Sequence, residues 1–206
     1  GTGSAGSYLN ALSNRSLNIA GYQEGVGTVV TTGTLTFQTL QQSAGVTHSY
    51  TLKTGDAYIN MDSRVTNQSS APLTNVRMWL GTGDDFIGTS DRNFKTKGII
   101  SGGAFVPLTD ANAPSNAIMV SEVGSGTNGS AALFYSTTAG VNTVHSDCCE
   151  FSKVVFKDPK SSSIASAQND GSYAIFMRVP DLAPGQSGGL SVYYAAAPIS
   201  QLSSAI

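Results

Sequence analysis

The stretch Leu80-Gly81-Thr82-Gly83-Asp84-Asp85-Phe86-Ile87-Gly88-Thr89-Ser90-Asp91-Arg92 gathers three carboxylates within eight residues, in a chain where charge is scarce. Carboxylates this close disfavour one another's ionised form unless a cation or bulk solvent balances them. Calcium is a hard ion that takes roughly six to eight oxygens from carboxylates, carbonyls, hydroxyls and water. Asp84, Asp85 and Asp91 can supply carboxylates, and Thr89 or Ser90 a further oxygen. Gly81, Gly83 and Gly88 let the backbone close tightly around an ion. The spacing is not that of an EF-hand, because no bidentate Glu ends the loop. Magnesium, with its stricter octahedral demand, fits less well. The plainer alternative is a solvated loop whose aspartates cap turns.

Other residues near this loop can contribute to a site. Arg92, Lys95 and Lys97 are three of the eleven basic residues and follow the acids directly. They either offset the loop's charge as ordinary surface pairs, worth under about 1 kcal/mol each, or join the cation in holding a ligand carboxylate. Trp79, the only tryptophan, alternates with Arg77 on the strand face turned away from the expected core, open to a neighbouring layer or a ligand. Cys148 and Cys149 are the only cysteines and are adjacent. Their Cα atoms lie about 3.8 Å apart across a trans peptide, below the usual disulfide span of about 4.4–6.8 Å. A bridge between them is strained and rigid, and in an oxidising compartment it makes a stiff apolar turn suited to lining a pocket. The alternative is two half-buried thiols without a role. Structural zinc wants four ligands, and only His145 lies nearby.

Enzyme signatures are sparse, so no catalytic residue is assigned. The chain has no GxSxG, HExxH or phosphate-loop motif. His48 sits within a strand-like run, where packing or hydrogen bonding accounts for it. Asp147 and Glu150 are a generic acid pair of the kind glycosidases use, and almost any sandwich has one. Asn14, Asn67 and Asn128 head glycosylation-type triplets, which so Ser- and Asn-rich a chain produces by chance.

The elements that must carry these residues read as strands. Gly25 to Leu40 suggests two strands around a Thr31-Thr32-Gly33 turn, and Val46 to Lys53 a third. In Ala57 to Asn67, Ile59, Met61 and Val65 share one face and Asn60, Asp62 and Arg64 the other. Leu73 to Leu80 alternates again and delivers the acidic loop. Ile99-Ile100, Phe105 to Leu108, Ala117 to Val123, Ala131 to Ser136, Lys153 to Lys157, Tyr173 to Val179 and Leu190 to Ala196 follow, separated by turn residues. Gly1 to Ser7 reads as a flexible lead-in. In Tyr8 to Ile19, Ser and Asn interrupt the helical stripe that Leu9 and Leu12 begin. About ten short strands without a long amphipathic helix predict an all-β fold: one antiparallel β-sandwich domain, residues 1–206, with long loops.

Composition narrows the partners. Charged residues make up 12% of 206 residues and hydrophobic ones 40%, so a core can form beneath an unusually uncharged polar surface. With net charge −2 and no basic run, nucleic acid is an unsuitable partner. No apolar run approaches the roughly 18 residues of a membrane span. Gly1 to Ser7 lacks a signal peptide's basic-then-apolar pattern, so the segment is expected to be a mature protein or one module of a longer one.

Two segments, Tyr58 to Val76 and Val179 to Tyr194, resemble hairpins frequent in bacterial extracellular sandwiches. With RMWLGTGDDFIGTSD and the following FKTKG, the chain resembles the peptide-binding domain of the RTX adhesins of Gram-negative bacteria. The likeness covers nearly the whole chain and is most specific over Arg77 to Gly98. It implies a secreted, cell-surface, calcium-dependent adhesion module without enzymatic activity, a monomeric unit of a larger protein active in biofilm. Such a module grips the C-terminal peptides of proteins on a host or neighbouring cell. Asp84, Asp85 and Asp91 become the implied calcium ligands, and the peptide's free carboxylate completes the shell. The glycine-rich RTX repeat itself is absent here. A calcium-dependent lectin binding glycans is the chief alternative, followed by a polysaccharide-processing enzyme and a structural spacer.

Overall fold

The computed structural model describes residues 15–23, 26–37, 42–85, 87, 95–109, 111, 115–121, 129–147 and 170–205. Among them are twelve strands, against about ten expected: β1 Arg15–Gln23, β2 Val26–Phe37, β3 Gln42–Leu52, β4 Tyr58–Asn67, β5 Arg77–Thr82 and β6 Thr96–Ser101 in the first half. The second half adds β7 Ala104–Pro107, β8 Ala117–Ser121, β9 Ser130–Tyr135, β10 Val141–Asp147, β11 Gly171–Arg178 and β12 Ser187–Pro198, with one helix, α1 Ile199–Ala205. The fold is an all-β antiparallel sandwich. It resolves into two compact units, residues 1–78 with 177–191, and residues 79–176 with 192–206, whose boundary falls within β5, β11 and β12.

In the first unit β1, β2, β3 and β4 form an antiparallel meander, and β4 is flanked by β12. Residues 26–37 form one continuous strand rather than the expected hairpin: Thr31, Thr32 and Gly33 pair with His48, Thr47 and Val46 of β3. A two-residue hairpin turn needs left-handed φ at its centre. Threonine resists that, and β-branching holds the run extended. Residues 15–19, the end of the Tyr8 to Ile19 segment whose helical stripe is interrupted, begin β1 and pair with Gly33 to Val29. The alternation expected of β4 holds from Ser63 onward, with Ser63, Val65 and Asn67 buried, while Ile59 is 36% exposed. Gly189 is where β12 presses on β4, since a Cβ there would lie 1.9 Å from the Ser63 carbonyl oxygen. The Pro184-Gly185 turn feeds β12, with Gly185 at φ 79° and the Gln186 amide donating to the Ala183 carbonyl at 2.9 Å. Asn67 ties this hairpin down: its Nδ2 donates to the carbonyls of Ala71 and Leu182 at 2.8 and 2.9 Å.

In the second unit the larger sheet runs β12-β9-β8-β6-β7 and the smaller β10-β11-β5. All five residues of β8 are buried, as are the first seven of β11. Strands covered on both faces lose polar alternation, so Ala-Ile-Met-Val and Tyr-Ala-Ile-Phe-Met read as continuous apolar runs. Phe134 of β9 and Tyr173 of β11 meet with ring centroids 5.3 Å apart, which couples the two sheets. α1 closes the end of a core cluster: Ile199 and Leu202 pack with Phe105, Met119, Leu133 and Ala195. Strand β10, missed by pattern because Asn142, Thr143 and His145 dilute it, contributes Val144 to a second cluster.

Candidate functional site

β5 and β11 present the acidic loop. The Val179 amide donates to the Val76 carbonyl at 2.9 Å, and five residues on, Gly81 lies against Tyr173 and Ala174. The two strands therefore run antiparallel, and the residues just past the end of β5 meet those just before the start of β11. Gly81 permits this approach: a Cβ there would sit 2.2 Å from the Tyr173 carbonyl oxygen. Ser172 Oγ then donates to the Gly83 carbonyl at 2.9 Å and fixes the loop to β11. As a result Asp84, Asp85 and Asp170 converge, with ligand oxygens within 4.8 Å of one another, a grouping that can hold a metal ion. Asp170 was not among the expected ligands, because it lies 86 positions beyond Asp84 and only strand pairing unites them.

The three carboxylates have different surroundings. Asp85 is 1% exposed. Its Oδ2 accepts hydrogen bonds from Lys97 Nζ at 2.8 Å and from the Gly171 amide at 3.3 Å. Lys95 Nζ lies 3.7 Å from its Oδ1. Lys97 is 0% and Lys95 5% exposed. The lysines expected to form surface pairs or to contact a ligand are thus drawn inward: β6 is buried at Thr96, Lys97 and Gly98, and the Asp85 carboxylate compensates their desolvation. Asp84 and Asp170 complete the rim. The Asp84 amide donates to Thr82 Oγ1 at 3.3 Å, shaping the turn, while Asp84 Oδ1 is buried without a hydrogen-bond partner. A buried acceptor left this way costs about 1–3 kcal/mol. The three carboxylates and two ammonium groups named here sum to −1, which a divalent ion would turn to +1.

Trp79 meets a neighbouring core layer. Its ring is tilted 60° against Phe176 at 5.5 Å and packs with Val144, Ala174 and Phe176. His48 has the hydrogen-bonded role expected, with Nδ1 2.6 Å from Ser63 Oγ. Beneath the acidic cluster, burial pushes the Tyr173 phenol well above its ordinary pKa, with Tyr194 and Asp85 adding to the effect. Asp91, Arg92, Cys148 and Cys149 lie outside the described residues, so the geometry assembles two of the three expected ligands and adds Asp170. Among the described residues, no helix is long and apolar enough to cross a membrane. No protein-family model matches the chain, and no curated protein matches its sequence.

Proposed function

We propose that the chain is a calcium-dependent adhesion module in which Asp84, Asp85 and Asp170 hold the ion and a ligand carboxylate completes its shell. The observation that carries this reading is the convergence of the three carboxylates around an unpartnered, buried Asp84 oxygen. Oxygen-only ligands favour calcium over transition metals, and magnesium makes the stricter octahedral demand. The buried lysines weaken the site, which places its affinity near that of extracellular calcium modules, roughly 10⁻⁴–10⁻³ M. That range suits a cell-surface protein bathed in millimolar calcium. The +1 charge of the loaded cluster favours a C-terminal peptide carboxylate over an internal peptide segment. Asp91 and Arg92 remain candidates for further contacts.

The test is a binding screen of immobilised peptides with free and amidated C-termini, beside a glycan panel, in calcium and after its removal. The reading predicts calcium-dependent capture of free acids only. Equal capture of amidated peptides would refute the carboxylate-on-calcium arrangement, and calcium-dependent capture of neutral glycans would favour a lectin.

A further inference from the structure

A primary amine and a carboxyl group held together away from water are the two halves of an amide. Lys97 Nζ lies 2.8 Å from Asp85 Oδ2, and the two residues are 0% and 1% exposed. The backbone fixes both. Lys97 pairs with Val120 of β8, and Ser172 Oγ holds the chain two residues before Asp85 through the Gly83 carbonyl. Reactants oriented in this way gain greatly over the same groups free in solution. Each buried charge also carries a desolvation cost, which a neutral amide removes for both. The surroundings of the pair supply what a condensation needs. The Gly171 amide donates to Oδ2 at 3.3 Å and polarises the carboxyl carbon, and the Lys95 ammonium lies 3.7 Å from Oδ1. Asp84 brings an oxygen within 4.8 Å of the Asp85 carboxylate, and its Oδ1 is a buried acceptor without a hydrogen-bond partner.

We propose that Asp85 and Lys97 join in an intramolecular isopeptide bond. Lys97 passes a proton to Asp84, and the nitrogen lone pair forms the bond to Asp85 Cγ. The displaced electron pair moves onto Oδ2, held by the Gly171 N–H. When it returns, the Cγ–Oδ1 bond breaks. The two protons that Lys97 gives up reach Oδ1, beside the Lys95 ammonium, and Oδ1 leaves as water. Ammonium and carboxylate become amide and water, so the step needs no oxidant, no co-reactant and no net proton. The bond ties the root of the acidic loop to β6 across twelve positions. It restricts the unfolded chain as a disulfide would, and reductant does not undo it. It is independent of calcium: Asp85 keeps a neutral carbonyl oxygen, a kind of ligand that calcium accepts.

The test is the intact mass of the folded full chain in chelator, read under denaturing conditions on isolation and through a long incubation. A shortfall of one water is expected, and digestion should yield one branched peptide that joins Asp85 to Lys97. Chain isolated and kept in urea should retain its full mass. Asp84→Asn removes the proton acceptor and should slow the condensation by roughly a hundredfold or more. Lys97→Arg keeps the charge without the nucleophile and should keep the full mass. Asp85→Asn should give the same branched peptide with loss of ammonia in place of water, a signature that no folding defect produces. Full mass in the folded wild type after the incubation would overturn the proposal. So would a water lost as a cyclic imide within a single linear peptide.

Discussion

Lys97→Met is the perturbation that separates the two roles of the acidic cluster. It removes a fully buried ammonium 2.8 Å from Asp85 Oδ2 and keeps a side chain of similar length. Breaking a buried ion pair from one side costs about 3–5 kcal/mol. Lys95, 3.7 Å from the other carboxylate oxygen, still offsets part of the charge, so the low end, about 3 kcal/mol, applies. The same change should help calcium. One unit charge removed at roughly 6 Å from a divalent ion is worth about 1.4 kcal/mol even at the dielectric of water, a tenfold gain in affinity. With wild-type affinity near 1 mM, about 10 mM calcium stabilises the wild type by about 1.4 kcal/mol and the variant by about 2.7 kcal/mol. Urea unfolding of both proteins, with and without calcium, reads all four free energies. The expected pattern is a deficit near 3 kcal/mol in chelator that shrinks by about 1.3 kcal/mol in calcium. A deficit that calcium leaves unchanged would refute the reasoning that ion and lysine compete for one field of negative charge.

Three further outcomes follow from the same geometry. Gly81→Ala places a methyl 2.2 Å from the Tyr173 carbonyl and should cost about 1–3 kcal/mol or more by urea unfolding; a neutral result would mean that β5 and β11 are farther apart than described. The raised pKa of Tyr173 means that the folded protein holds this proton after the unfolded chain has released it. Its contribution is therefore complete below pH about 10 and lost as pH rises beyond, by up to about 1.4 kcal/mol per unit, and Tyr173→Phe should flatten that part of a stability–pH curve. Burial pushes the Asp62 carboxyl up, but hydrogen bonds from Arg64 and Ser191 and the Arg64 charge outweigh it, so its pKa is lowered. Ser191→Ala should raise that pKa in an NMR titration, and an unchanged value would remove the hydroxyl from the account.

Strands were legible wherever one face of a sheet is solvated or turn residues bracket an apolar run, as in β3, β4 and β9. The register of β2 was not, because Thr-Thr-Gly serves a strand and a turn equally well until a partner strand is present. The site was half legible. Asp84 and Asp85 stand out by local density, whereas Asp170 becomes a neighbour only through the antiparallel pairing of β5 with β11. The lysines misled for a physical reason: a charged side chain after a loop usually lies in water, and only the buried Asp85 makes their interior position tenable. Trp79 shows the limit of alternation, which gives the face of a strand but not what covers that face.

The most direct measurement of the central claim is anomalous diffraction from crystals grown in millimolar calcium. The account predicts one peak within about 2.3–2.6 Å of oxygens from Asp84, Asp85 and Asp170, lost in an Asp84→Asn crystal grown the same way. A cluster holding only water, with Asp84 and Asp170 turned apart into solvent, would contradict it.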